Sequence, residues 1–132
     1  MKREILIVED HLYVRQTLTD WLVKAYPEFE ILATDNGEDA IDTAQVRPLS
    51  LILMNSHLPR IDGFETTRRI KAFRPDIPIL IMTEDDSDLH KDLAFSAGAD
   101  AYLSKNRLPL ELLPIINKLL SSAERWTMEN TI

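Results

Sequence analysis

Five short apolar runs, each followed by a polar turn and then by a longer stretch with helical spacing, constrain this chain more than any other feature. The runs are Ile5 to Val8, Ile31 to Ala33, Leu49 to Met54, Ile79 to Met82 and Ala101 to Leu103. They are short and apolar without strict alternation, the pattern of strands covered on both faces. Between them apolar residues recur every three or four positions. Leu12, Leu18, Leu22 and Ala25 predict a first helix stopped by Pro27, and Ala40, Ile41, Ala44 and Val46 a second that ends before Pro48. A third runs from Phe64 through Ile70 to Phe73, after Asp62-Gly63 and before Pro75. A fourth carries Leu89, Leu93, Ala94 and Ala97 and closes at Gly98, a suitable residue for the left-handed turn that ends a helix.

The last helical stretch holds Leu112, Leu113, Ile116, Leu119 and Leu120, with Pro109 in its first turn and Pro114 expected to kink it or delay its start. From Ser121 the pattern fades. Residues 2–122 are therefore predicted as the domain, and residues 123–132 as a C-terminal tail or the start of a linker, in which Trp126 has no assignable partner. Strands alternating with helices predict an α/β, doubly wound fold: a five-stranded parallel sheet with helices on both faces, since right-handed crossovers leave few other arrangements. Ligands of such folds bind beyond the carboxyl ends of the strands.

Composition narrows the function classes. At 132 residues and 45% apolar content, a single core can remove roughly two-thirds of the unfolded chain's surface from water, which excludes disorder. With no cysteine, disulfides, thiolate zinc sites, Fe–S clusters and thiol nucleophiles are excluded, and a reducing cytoplasm is the expected setting. The apolar runs fall far short of the ~18 residues a membrane span needs. After Met1-Lys2-Arg3 the first of them ends at once in Glu9-Asp10, which a signal peptide would not tolerate. The net charge of −7 opposes direct binding to a nucleic-acid backbone.

Chemistry is expected at the strand ends: Glu9 and Asp10 after the first run, Asn55 after the third, Thr83 after the fourth and Lys105 after the fifth. Paired carboxylates suit a hard divalent cation such as Mg²⁺, and a lysine with a hydroxyl suits the oxygens of a phosphoryl group. A flavin or dinucleotide enzyme on this architecture is disfavoured, because Glu9-Asp10-His11-Leu12 offers no glycine for a phosphate to approach until Gly37. A phosphoaspartate hydrolase would need a second Asp at position 12, which is Leu.

The segments Ile5-Leu6-Ile7-Val8-Glu9-Asp10-His11, Leu51 through Asn55-Ser56-His57-Leu58-Pro59 to Asp62-Gly63, Ile81-Met82-Thr83, Gly98-Ala99-Asp100-Ala101-Tyr102 and Leu103-Ser104-Lys105 occur in this order. Together they resemble the receiver domain of a two-component response regulator over nearly the whole chain. The resemblance implies a flavodoxin-like sheet of order 2-1-3-4-5 and a phosphorelay signalling role rather than an enzyme. It implies that Asp10 binds Mg²⁺ directly, Glu9 acts beside it mostly through water, and the backbone carbonyl of His57 is a further ligand. Thr83 receives a phosphoryl oxygen, Lys105 pairs with it, and Tyr102 changes rotamer as Thr83 moves. The implied partners are a sensor histidine kinase or phosphotransfer protein, and an output domain, other partner or second copy on the face of the fourth helix, fifth strand and fifth helix.

Asn55 departs from that pattern, for it stands where the family has its phosphoacceptor Asp. An amide is neutral, and its nitrogen lone pair is delocalised, so the chain as written is expected not to accept phosphate and to hold Mg²⁺ more weakly. Either an Asp has been replaced to give an inactive form, or this is a natural pseudo-receiver, an interaction module that signals without phosphorylation; deamidation of Asn55 ahead of the small Ser56 is a further route to Asp. Lys105-Asn106 departs too, where many receivers have a cis Lys-Pro bond. The polar residue resembles receivers attached to helix-turn-helix output domains, which would lie outside this chain.

Simpler readings stand beside these. Glu9-Asp10 could cap a helix, and Asp62-Gly63 reads as a turn and helix start. His11, His57 and His90 lack a metal-ligand spacing, although the His57 side chain is expected to overhang the site. Arg68, Arg69, Lys71 and Arg74 read as the solvated face of the third helix.

Overall fold

A computed structural model describes residues 2–130, with side chains through residue 121. The order of elements is β1 (Glu4–Val8), α1 (Leu12–Ala25), β2 (Glu30–Thr34), α2 (Gly37–Val46), β3 (Leu49–Asn55), α3 (Gly63–Phe73), β4 (Ile79–Thr83), α4 (Asp88–Ser96), β5 (Ala101–Ser104), a short 3-10 turn (Lys105–Arg107) and α5 (Leu108–Asn130). The strands form one parallel sheet in the order β2-β1-β3-β4-β5, the doubly wound topology the alternation predicts. All but the first strand run one residue past the apolar run, so that Thr34, Asn55, Thr83 and Ser104 end strands.

Alternate strand residues divide between two cores because successive side chains leave opposite faces of a sheet. On one face Ile5, Ile7, Leu51, Leu53, Leu80 and Met82 pack with Leu18 and Leu22 of α1 and with Leu112, Ile116 and Leu119 of α5. On the other, Leu6, Val8, Ile52, Met54, Ile79 and Ile81 pack with Ala40 and Ala44 of α2, Ile70 of α3 and Ala94 of α4. β1, β3 and β4 are buried along their full length, whereas the edge strand β2 is half open. This explains why the central runs lack alternation.

The helix ends follow local chemistry. Asp62 caps α3 by accepting from Glu65 N at 2.8 Å, as the Asp62-Gly63 reading expects. Gly98, at φ +104, takes the left-handed position after α4. Gly63 is required for space: a Cβ there would lie 2.1 Å from the Asn55 carbonyl oxygen.

Four expectations need correction. Pro114 does not delay α5, which starts at Leu108 and contains it; Leu110, whose carbonyl loses the N–H partner, is 84% exposed, so water can serve that group. α5 also continues to Asn130 through the stretch read as a tail; the side chain of Trp126 and residues 131–132 lie outside what is described. Leu12, Leu89 and Leu93, assigned to inward helix faces by spacing, are exposed, and α4 buries Ala94 instead. Only Arg68 and Arg69 of the basic cluster are solvated, both paired with Glu65. Lys71 is largely buried and donates to Ile77 O and Asp100 Oδ2, both at 2.7 Å, while Arg74 holds Asp76 and Ala44 O. These two residues staple the α3–β4 connection to its neighbours.

Candidate functional site

The parallel register aligns the carboxyl ends of the inner strands. Val8 pairs with Met54, Asn55 with Met82 and Thr83 with Ser104, so the polar residues that end or follow these strands share one rim. Glu9, Asp10, Asn55, Thr83 and Lys105 accordingly line one cleft of about 450 Å³, joined by His11, Ser56, His57, Glu84, Asp85 and His90. All five residues expected from the sequence are brought together, and the His57 carbonyl with them.

The floor of the cleft is a closed set of polar contacts. Glu9 is fully buried; its Oε1 accepts from Lys105 Nζ at 2.7 Å, and its Oε2 accepts from Asn55 Nδ2 at 3.0 Å and His11 N at 3.1 Å. A buried carboxylate is tolerable only when paired and bonded in this way. Asn55, 5% exposed, also donates from Nδ2 to Asp10 Oδ1 at 3.1 Å and to the His57 carbonyl at 2.8 Å. The peptide nitrogen that deamidation of Asn55 would require, Ser56 N, is itself committed to Met82 O at 2.9 Å.

These oxygens are the kind a hard cation takes. Here they face the amide N–H groups of Asn55 instead, and the amide would have to turn by half a rotation before its own oxygen could join them. As arranged, the donor set does not fit a bound Mg²⁺. Among the described residues no group of three or more His, Asp or Glu side chains is placed to hold a metal ion. The fold does gather all three histidines at this cleft, a convergence that sequence spacing could not reveal.

Thr83 and Tyr102 meet at the β4–α4 loop. The buried Thr83 hydroxyl donates to Asp85 O and accepts from Asp85 N, both at 3.1 Å, and Tyr102 OH donates to the same Asp85 carbonyl at 2.6 Å. Partial burial raises the Tyr102 phenol above its ordinary value, with the nearby Asp86 adding to the effect. The Asp85 carboxyl is held below the usual range, first by the Ser87 backbone N–H. His90 Nδ1 lies 3.1 Å from Asp85 Oδ2 and 3.0 Å from Ser87 Oγ, tying α4 to the loop.

The capping alternative for Glu9-Asp10 fails, because the N-cap of α1 is His11. Sequence reasoning did not single out Arg15, whose Nη1 donates to Glu9 O at 2.8 Å and Asp10 O at 3.4 Å and fixes the acidic loop from α1. An arginine inside a helix carries no spacing signal for such a role. The Lys105-Asn106 bond is trans, as are the others described.

Comparison with known proteins gives a consistent result. The family model described as the response regulator receiver domain matches residues 5–117. The chain is 29% identical over 131 residues to the transcriptional regulatory protein SrrA of Staphylococcus aureus, covering 99% of this chain and 53% of that protein. It thus spans about half the length of the curated relatives it matches. Among solved structures it is similar to a LuxR-family DNA-binding response regulator of Staphylococcus aureus, with 31% identity, TM-score 0.78, and 89% and 98% of the two chains covered. It is also similar to the receiver domain of a sensor histidine kinase from Pseudomonas aeruginosa, which has a magnesium ion coordinated in its active-site cleft; identity is 28%, the TM-score 0.79, and coverage 92% and 99%.

Proposed function

Because the chain belongs to the response regulator receiver domain family, we propose that it is a receiver with Asn55 at the phosphoacceptor position, unable to be phosphorylated there and part of a cytoplasmic transcriptional regulator. The observation that carries this is Asn55 itself. It ends the central strand at the cleft floor, within hydrogen-bond reach of Glu9 and Asp10. A carboxylate there could attack the phosphorus of a phosphoryl donor and displace its leaving group to form an acyl phosphate, whose oxygens Thr83 and Lys105, lining the same cleft, would receive; an amide has no such anionic oxygen.

Asp10, Glu9 and the His57 carbonyl, the oxygens of the Mg²⁺ set that the resemblance implies, face the Asn55 amide N–H groups here, and a cation could join them only after that amide turned, so Asn55 weakens metal binding. Thr83 and Tyr102 form the switch, sharing the Asp85 carbonyl. Without a phosphoryl group to draw the Thr83 hydroxyl away, both stay on the loop. The exposed Leu93 and Phe95 of α4 and Leu110 of α5 supply apolar contact for an output domain, another partner or a second copy. A sensor histidine kinase or phosphotransfer protein would meet the cleft. The satisfied contacts of Asn55 favour a phosphorylation-independent module.

Incubation with a small acyl phosphate and Mg²⁺ tests the reading. By intact mass, the protein should stay unlabelled while Asn55→Asp gains one phosphoryl group. Equal labelling of both would overturn it.

A further inference from the structure

We infer that the Asn55 side-chain amide takes the place of a divalent cation in this cleft, so that the protein keeps its site intact without metal. The inference deepens the reading above and rests on it only for the comparison with cation-binding receivers. Asn55 Nδ2 lies 3.0 Å from Glu9 Oε2, 3.1 Å from Asp10 Oδ1 and 2.8 Å from the His57 carbonyl. The oxygens of two carboxylates and a backbone carbonyl accept, so they determine which end of the amide faces them. One nitrogen therefore gathers the oxygens that a hard cation would otherwise gather.

Charge gives the second argument. Glu9 and Asp10 bring two negative charges to the floor and Lys105, on Glu9, returns one. The positive end of the amide dipole faces what remains, and no side-chain atom of Glu9, Asp10, Asn55 or Lys105 is buried without a partner. A cation entering here would displace the two Nδ2–H groups from the three oxygens that share them and turn the amide, while gaining one anionic ligand fewer than an Asp at position 55 would offer. The crowding of carboxylates that makes a cation favourable is already relieved.

Metal binding without any phosphoryl donor tests this. In a Mn²⁺ titration followed by electron paramagnetic resonance, Asn55→Asp should bind about tenfold or more tightly than the wild type, as an added anionic ligand requires. Millimolar Mg²⁺ should leave the wild-type Tm unchanged and raise that of Asn55→Asp. Asn55→Ala, which removes one donor from each of Glu9 and Asp10 while Lys105 and His11 stay on Glu9, should melt lower than wild type and recover with Mg²⁺. In the wild type alone, the Asn55 side-chain amide resonances should be unmoved by Mg²⁺, a readout that stands even if a variant fails to fold. Equal Mn²⁺ affinity in wild type and Asn55→Asp, or a Mg²⁺-dependent shift of the Asn55 amide, would overturn the proposal. Ion binding by an unlabelled wild type as tight as that of Asn55→Asp would sink this inference and leave the functional reading, whereas phosphoryl labelling of a wild type whose Tm ignores Mg²⁺ would do the reverse.

Discussion

Asn55 and Gly63 show how much the cleft depends on single atoms. The amide of Asn55 can reach Glu9, Asp10 and the His57 carbonyl only because the chain turns tightly after β3 and returns at Gly63, whose N–H donates to Ser56 O at 2.8 Å. A Cβ at Gly63 would lie 2.1 Å from Asn55 O and 2.9 Å from Ser56 Cα, both backbone atoms that cannot step aside. Gly63→Ala should therefore cost about 2 kcal/mol or more of stability, as overpacking does, and chemical denaturation would show it. The Asp62-Gly63 pair was legible as a turn and helix start. Its service to the site was not, because that service is a contact between residues on two different elements.

The α3–β4 connection illustrates what helix periodicity misses. Lys71 and Arg74 sit among basic neighbours that face water, yet their long side chains fold inward to Asp100, Ile77, Asp76 and Ala44. Asp76 is held below the usual carboxylate range, chiefly by its hydrogen bonds with Arg74. A depressed folded pKa means that the carboxylate stabilises the protein fully above its unfolded value, 3.8, and loses that contribution as pH falls through the folded value. Asp76→Asn should lower the Tm at neutral pH, and the gap to wild type should close as acid is added below 3.8. A gap that stays constant down to the acid limb would refute the pairing. α4 gives the complementary lesson, since Leu89 and Leu93 have core spacing but open to solvent on a helix anchored by Ala94.

Across the whole molecule, polar groups are buried at both ends of the sheet and are handled differently. At the carboxyl end Glu9 is paired with Lys105 inside the cleft; at the amino end Glu4, 1% exposed, is gripped by both arms of Arg47 from the end of α2. The second pair closes the amino end of the sheet, where Arg47 is half exposed and Glu4 is buried. Arg47→Ala would leave a buried carboxylate without its partner, and should lower the Tm more than Arg68→Ala, which loses only an exposed pair with Glu65. Equal effects would mean that water reaches Glu4.

The order of five strands and five helices, the sheet that is apolar on both faces, and the set Glu9, Asp10, Asn55, Thr83 and Lys105 were readable from the chain alone. They are carried by local pattern: apolar periodicity, helix-ending prolines and glycines, and polar residues at strand ends. Tertiary structure alone decided that the Asn55 nitrogen rather than its oxygen faces the acids, that Thr83 and Tyr102 share one carbonyl, that Arg15 braces the acidic loop, and that Lys71 turns inward. These are orientations of long or two-ended side chains, chosen by acceptors that lie up to 46 residues away in sequence. No local pattern records such distant partners.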